Sequence, residues 1–129
     1  MKACFFLFFA ICFYSNSALG QKLDCEHFKN GIFKMTDKGN TTIITRSGAK
    51  QTEVLNGSNK PTSYKVKWLN ECTYVLIPNQ DVFDKYPELP KNALLTVRII
   101  STTDSTYTQT SSSNFSDLVF TSRVTKIIK

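Results

Sequence analysis

The sequence predicts an all-β fold, a small antiparallel up-and-down barrel of about eight short strands, and three observations lead there. Along Ser63 to Leu69 the side chains alternate, with Tyr64, Val66 and Trp68 on one face and Lys65 and Lys67 on the other. Comparable runs of β-branched and aromatic residues recur, separated by turn formers at Asp37-Lys38-Gly39-Asn40, Ser47-Gly48, Asn56-Gly57-Ser58-Asn59 and Asp104-Ser105. Only Pro78 to Asn92 breaks that rhythm. A two-sheet sandwich is the alternative, because periodicity does not separate a closed sheet from two packed ones.

The chain begins with a segment that is not part of this fold. Lys2 precedes a nearly continuous apolar run from Ala3 to Tyr14, followed by the small and polar stretch Ser15 to Gly20. That is the pattern of a secretory signal peptide, with Ala18 and Gly20 at the small-residue positions and cleavage expected before Gln21. Residues 1–20 are therefore read as the leader and 21–129 as a single β domain. Cys25 lies too far beyond Gly20 for lipoprotein processing, and no later run is long enough to span a bilayer. The expected location is the periplasm or the external medium, which excludes most nucleotide, nucleic-acid and cytosolic metabolic roles.

Loss of Lys2 leaves the 16 basic residues one fewer against 10 acidic ones, a net charge of about +5. These charges are scattered, as suits a soluble secreted domain, and they also favour weak attraction to anionic surfaces or glycans. A domain this small has a modest core, so a covalent staple is valuable. Of the four cysteines, Cys4 and Cys12 leave with the leader, and Cys25 and Cys72 remain to pair in an oxidising compartment. Their bond closes a loop of about fifty residues, with a chain-entropy stabilisation of roughly 4 kcal/mol.

The strands are expected in order at Gly31 to Met35, Thr41 to Arg46, Gln51 to Leu55, Ser63 to Leu69, Cys72 to Ile77, Leu94 to Ser101, Thr106 to Thr110 and Leu118 to Ile128. The fourth and fifth form a hairpin with Asn70 at its turn. Tyr64, Val66, Trp68, Tyr74, Leu76, Leu95, Val97, Ile99, Leu118 and Phe120 are expected inside. Pro78 to Asn92 holds three of the four prolines and reads as a long connection or one helical turn. Its Phe83 and Tyr86 are expected either to cap a barrel mouth or to plug the sheet edge. The serine- and threonine-rich tract Ser101 to Ser116 reads as an exposed edge or mobile tip.

Few residues suggest chemistry. The single histidine, His27, has no nucleophile at a telling spacing and is read as a surface residue at the start of the first strand. No catalytic residue, metal ligand set or cofactor is expected, and Asp81 with Asp84 is only a weak calcium signal. The glycines form no phosphate loop, so nucleotide binding is unsupported. A basic stripe of Lys50, Lys60, Lys65 and Lys67 near Trp68 would resemble a nucleic-acid or glycan platform, but alternation turns Lys65 and Lys67 away from Trp68, which argues against it. Asn40-Thr41-Thr42, Asn56-Gly57-Ser58 and Asn114-Phe115-Ser116 fit the glycosylation sequon, which matters only in a eukaryotic secretory route.

Three segments together carry a resemblance: Cys25-Glu26-His27-Phe28-Lys29-Asn30-Gly31-Ile32-Phe33-Lys34, Val66-Lys67-Trp68-Leu69-Asn70-Glu71-Cys72-Thr73-Tyr74-Val75-Leu76, and Leu95-Thr96-Val97-Arg98-Ile99. The pattern C-x-x-F-K-x-G-x-F, V-x-W-x-x-x-C-x-Y-x-L, V-x-I resembles a family of short exported Bacteroidetes proteins. That resemblance implies a lipocalin-like β-barrel and brings no activity with it. Some members carry a topoisomerase IV label, which an exported chain of this size with no ATPase loop contradicts. The expected function is non-enzymatic binding of a small apolar or amphipathic ligand, with Tyr64, Trp68 and Tyr74 lining the mouth and Phe83 and Tyr86 covering it. The rival is an interaction module that meets a protein or glycan through a sheet edge or basic face. Buried Glu26 or His27 in a cleft would point to an enzyme instead.

Overall fold

Eight strands pair in sequence order, and the last pairs with the first, so the sheet closes into an antiparallel barrel. The structure is a computed structural model and describes residues 22–128; the leader expected at residues 1–20 lies outside them. The strands are β1 (Gly31–Asp37), β2 (Asn40–Ser47), β3 (Lys50–Leu55), β4 (Thr62–Trp68), β5 (Thr73–Pro78), β6 (Leu95–Thr102), β7 (Thr106–Ser113) and β8 (Phe120–Ile128). A 3-10 turn at Glu26–Phe28 precedes β1, and one helix, α1 (Gln80–Lys85), interrupts the β5–β6 connection.

Local chemistry sets the turns. Between Asp37 and Asn40, Lys38 and Gly39 both take positive φ (50° and 82°), the pattern of the tight hairpin turn whose twist matches that of the strands. Gly48, at φ 60°, takes the first central position between Ser47 and Lys50. At the β4–β5 hairpin, the Asn70 side-chain oxygen accepts from the Cys72 backbone N–H at 3.0 Å, so the asparagine side chain builds the turn.

The two ends of the barrel differ. At one end the 3-10 turn lies across the opening and inserts fully buried Phe28 beneath Phe33, Ile44, Ile99, Tyr107 and Val124. The Cys25–Cys72 disulfide fastens that turn to the β4–β5 hairpin, and Lys126 donates to the His27 carbonyl at 2.7 Å. This end is the floor. At the other end lie the β1–β2 turn, the β3–β4 and β7–β8 loops, and α1, which packs on β4 and β5. Asp81 clamps α1 there, accepting from the Ser63 backbone N–H at 3.0 Å and the Ser63 hydroxyl at 2.7 Å. Both Asp81 oxygens thus serve the fold, and Asp84 accepts from Gln80.

Four expectations need correction. Leu118 precedes β8 and is 64% exposed, while Phe120 opens β8 and stands 60% exposed at the mouth; Val124 is the buried residue of that strand. Trp68 keeps its inward place, packed against both core clusters, but is only half-buried because it ends β4. The tract Ser101 to Ser116 is no edge, since β7 pairs with both β6 and β8 and buries Tyr107 and Gln109. His27 belongs to the 3-10 turn and not to the first strand, its ring edge-to-face on Phe28 at 4.9 Å.

Candidate functional site: the barrel interior

Alternation sends one face of every strand inward, and on most strands that face is apolar. On β2, β3 and β7 it is not. Arg46 follows Ile44 on the inner face of β2, and Gln51 and Glu53 are the inner residues of β3. Arg46 is 1% exposed, and a guanidinium without hydration must find partners for its five N–H groups. It finds five. Its Nε donates to the Lys29 carbonyl (3.2 Å), one terminal nitrogen to Gln51 Oε1 (2.9 Å) and Tyr74 Oη (3.1 Å), and the other to the Phe28 carbonyl (2.6 Å) and Tyr107 Oη (3.1 Å).

Aromatic faces complete this housing. The guanidinium carbon lies 4.6 Å from the Phe33 ring centre and 4.9 Å from that of Tyr74. Burial works against the Arg46 charge, while Tyr74, Tyr107 and Glu53 raise its pKa, so it remains a cation. Burial, joined by Tyr107, pushes the Tyr74 phenol well above its usual range, so it stays protonated. Arg46 therefore stitches the 3-10 turn to β2, β3, β5 and β7 across the barrel axis.

Above this layer lies a cavity of about 280 Å³ to which all eight strands contribute side chains. Met35, Ile44, Leu76, Leu95 and Val97 give it apolar walls. Gln51, Glu53 and Tyr64 face Gln109, Ser111 and Ser122 across it, because β3 and β7 stand four strands apart in an eight-strand ring. A cleft of about 200 Å³ adjoins it, sharing Glu53 and Tyr64 and walled by Lys85 and Tyr86 of the α1 end. Larger hollows, near Leu23 and Arg98 and near Lys60 and Asp84, lie on the outside of the wall.

The expected site residues separate in space. Tyr64 and Tyr74 face the main cavity, and Tyr86 faces the adjoining cleft. Trp68 lines neither. It sits toward the floor, its ring 4.6 Å from that of Tyr74 and the Lys29 ammonium 5.0 Å from its centre. Phe83 lines neither space as well, and Val82 is the residue α1 buries, against the cluster of Tyr64, Val66 and Leu76. Helical geometry explains the exchange, since neighbouring positions on a single turn face different directions. Glu26 is exposed at the outer floor beside Lys29, and neither it nor His27 faces the cavity.

Sequence reading missed Arg46, Gln51, Glu53 and Gln109. The available signal was register. Once Ile44 is placed inward, alternation puts Arg46 inward too, and hairpin pairing carries Gln51 with it. Glu53 accepts a hydrogen bond from Gln51 Nε2 at 2.8 Å, and burial raises its pKa, opposed by that bond and by Arg46 and Lys85. Tyr64 is pushed upward too, by burial first and then by Glu53.

A carboxyl whose pKa is raised by folding weakens the fold once it ionises: its favourable contribution is present below the unfolded pKa and lost as pH rises through the folded one. Glu53→Gln keeps an acceptor for Gln51 and removes the charge. Its melting temperature is expected to exceed that of the wild type at neutral pH and to converge with it as pH falls through the carboxylate range. A wild type that stays the more stable at neutral pH would show that Glu53 is a stabilising ion there.

The fold and interior define a closed eight-stranded antiparallel barrel, sealed at one end and hollow toward the other. Among the described residues no three of His, Cys, Asp and Glu come together as a metal-holding group, and no helix is long and apolar enough to cross a membrane. Compared with protein-family models, curated proteins and solved structures, the chain matches none.

Proposed function

We propose that this protein is an exported, non-enzymatic carrier that takes a small amphipathic ligand into a lipocalin-like barrel. The cavity carries the reading: side chains from all eight strands surround it, one end is sealed, and its lining is part apolar and part polar. Eight-stranded barrels have room for one small ligand when their side chains do not fill them, and pockets of this mixed lining suit molecules with a polar end. The step from architecture to role is by analogy of fold. Export is supported by the leader pattern at residues 1–20 and by the disulfide, which persists in oxidising compartments.

The rival reading, an interaction module using a sheet edge or basic face, has less support in its sheet-edge form, because each of the eight strands is paired on both sides. The test is native mass spectrometry of the full chain, expressed with its own leader in a secretory host. The wild type is expected to carry a discrete extra mass that is lost on unfolding and absent from Ser122→Trp, whose indole occupies the cavity. A bare wild-type mass, joined to no heat on titration with simple amphiphiles, would overturn the carrier reading.

A further inference from the structure

The polar groups of the cavity differ in what they still have to offer. Arg46, the nearest strong donor, has five N–H groups and five partners inside the protein, and aromatic rings cover it, so it has nothing left for a ligand. Gln51 passes that saturation on, accepting from Arg46 with its oxygen and donating to Glu53 with its nitrogen. The chain ends at Glu53. One carboxylate oxygen receives the Gln51 bond, and among the described residues no protein donor engages the other. Among the described residues the ion pair within 4.0 Å is Lys29–Glu26, so Glu53 has no cation at contact distance.

The opposite wall has a matching deficit. Gln109 is 7% exposed, and its side-chain oxygen is buried without a hydrogen-bond partner. A buried acceptor left unmatched carries a desolvation penalty that a donor from outside would remove. The hydroxyls of Tyr64, Ser111 and Ser122 can give or take a hydrogen bond, but the charge this cavity leaves unmatched is that of Glu53, and the buried group it leaves unmatched is an acceptor, between apolar walls.

Resting on the carrier reading, we propose that the ligand is a small organic amine whose ammonium group sits on Glu53 and whose apolar body lies against Leu76, Leu95 and Val97. A carboxylate or phosphate in the same place would face Glu53 with only the neutral hydroxyls of Tyr64, Ser111 and Ser122 in the cavity to offset the repulsion, since Lys85 walls the adjoining cleft and makes no contact-distance pair with Glu53. The ammonium supplies both the missing charge and the missing donors, and a charge-assisted bond in a partly dry site is stronger than a neutral one. Burial raises the Glu53 pKa against the opposing pull of Gln51, Arg46 and Lys85, and an ammonium beside it would favour the carboxylate form.

The test is calorimetric titration at neutral pH of the secreted protein, after unfolding and refolding to release any passenger, with n-octylamine, n-octanol and n-octanoate. Octylamine is expected to bind best, and Glu53→Gln to weaken it about ten- to a hundredfold while leaving octanol unchanged. Glu26→Gln, which removes an exposed carboxylate at the outer floor, is expected to leave all three as they were. Thermal melting of each variant establishes that it is folded before affinities are compared. Equal binding of the three probes, indifferent to Glu53→Gln, would overturn the amine assignment and leave the carrier reading in place, as would a preference for octanoate. Absence of binding by all three would remove the carrier reading as well.

Discussion

Replacing Arg46 by alanine is expected to destabilise the fold by about 4 kcal/mol, read as a fall in the denaturant midpoint at unchanged slope. The loss has two sources. The Phe28 and Lys29 carbonyls and the Gln51 oxygen each lose an Arg46 donor, in a place where water has poor access. Phe33, Tyr74 and Tyr107 also lose the plane on which they pack. Arg46→Lys is expected to fall between the two, because an ammonium keeps the charge but brings three donors to five acceptors and lacks the flat fork. A midpoint unmoved by the alanine would mean that the floor holds together without its central cation.

The second large effect is expected from Cys25→Ser combined with Cys72→Ser. The bond spans 47 residues, and cross-linking a loop of that length limits the unfolded chain by roughly 4 kcal/mol. It also has a local duty, since Cys25 anchors the 3-10 turn whose Phe28 carbonyl accepts from Arg46. The serine pair and Arg46→Ala should therefore not add: once the turn is loose, part of what Arg46 holds is already lost. Equilibrium unfolding of wild type, each variant and their combination measures that coupling. Equal midpoints for the wild type with and without reductant, at full reduction, would leave the bridge without a stabilising part.

How much of this was legible depends on whether the information is local. Turn chemistry at Lys38-Gly39, Gly48 and Asn70 is local, and strand positions followed from it to within a few residues. The Cys25–Cys72 bond was legible for a different reason, because reading residues 1–20 as a leader set Cys4 and Cys12 aside and left one possible pair. Closure was not local. The pairing of β1 with β8 depends on how each strand twists against its neighbour, and a sandwich would have produced the same alternation. The interior chemistry was hidden by its own composition. In Gln51-Thr52-Glu53-Val54 a hydropathy reading turns Val54 inward, yet the inner face holds Gln51 and Glu53, and in Tyr107 to Ser111 polar residues occupy both faces. Polar residues directed into the barrel depart from the rule that defines a core, and such departures gather where a protein has something to bind.

The seam between β1 and β8 also bears on how the molecule is made. Its contacts join Ile32 to Ile128 and Met35 to Val124, near the two limits of the described residues, whereas each other pairing joins neighbours in sequence. Loop-closure entropy for that seam falls due before the contacts can repay it, so the meander can assemble hairpin by hairpin while the ring waits for its last strand. Until then β1 offers an unpaired row of N–H and C=O groups to any passing chain. The Cys25–Cys72 bridge can form sooner, since both cysteines precede β6, so the floor can be fastened before the ring locks.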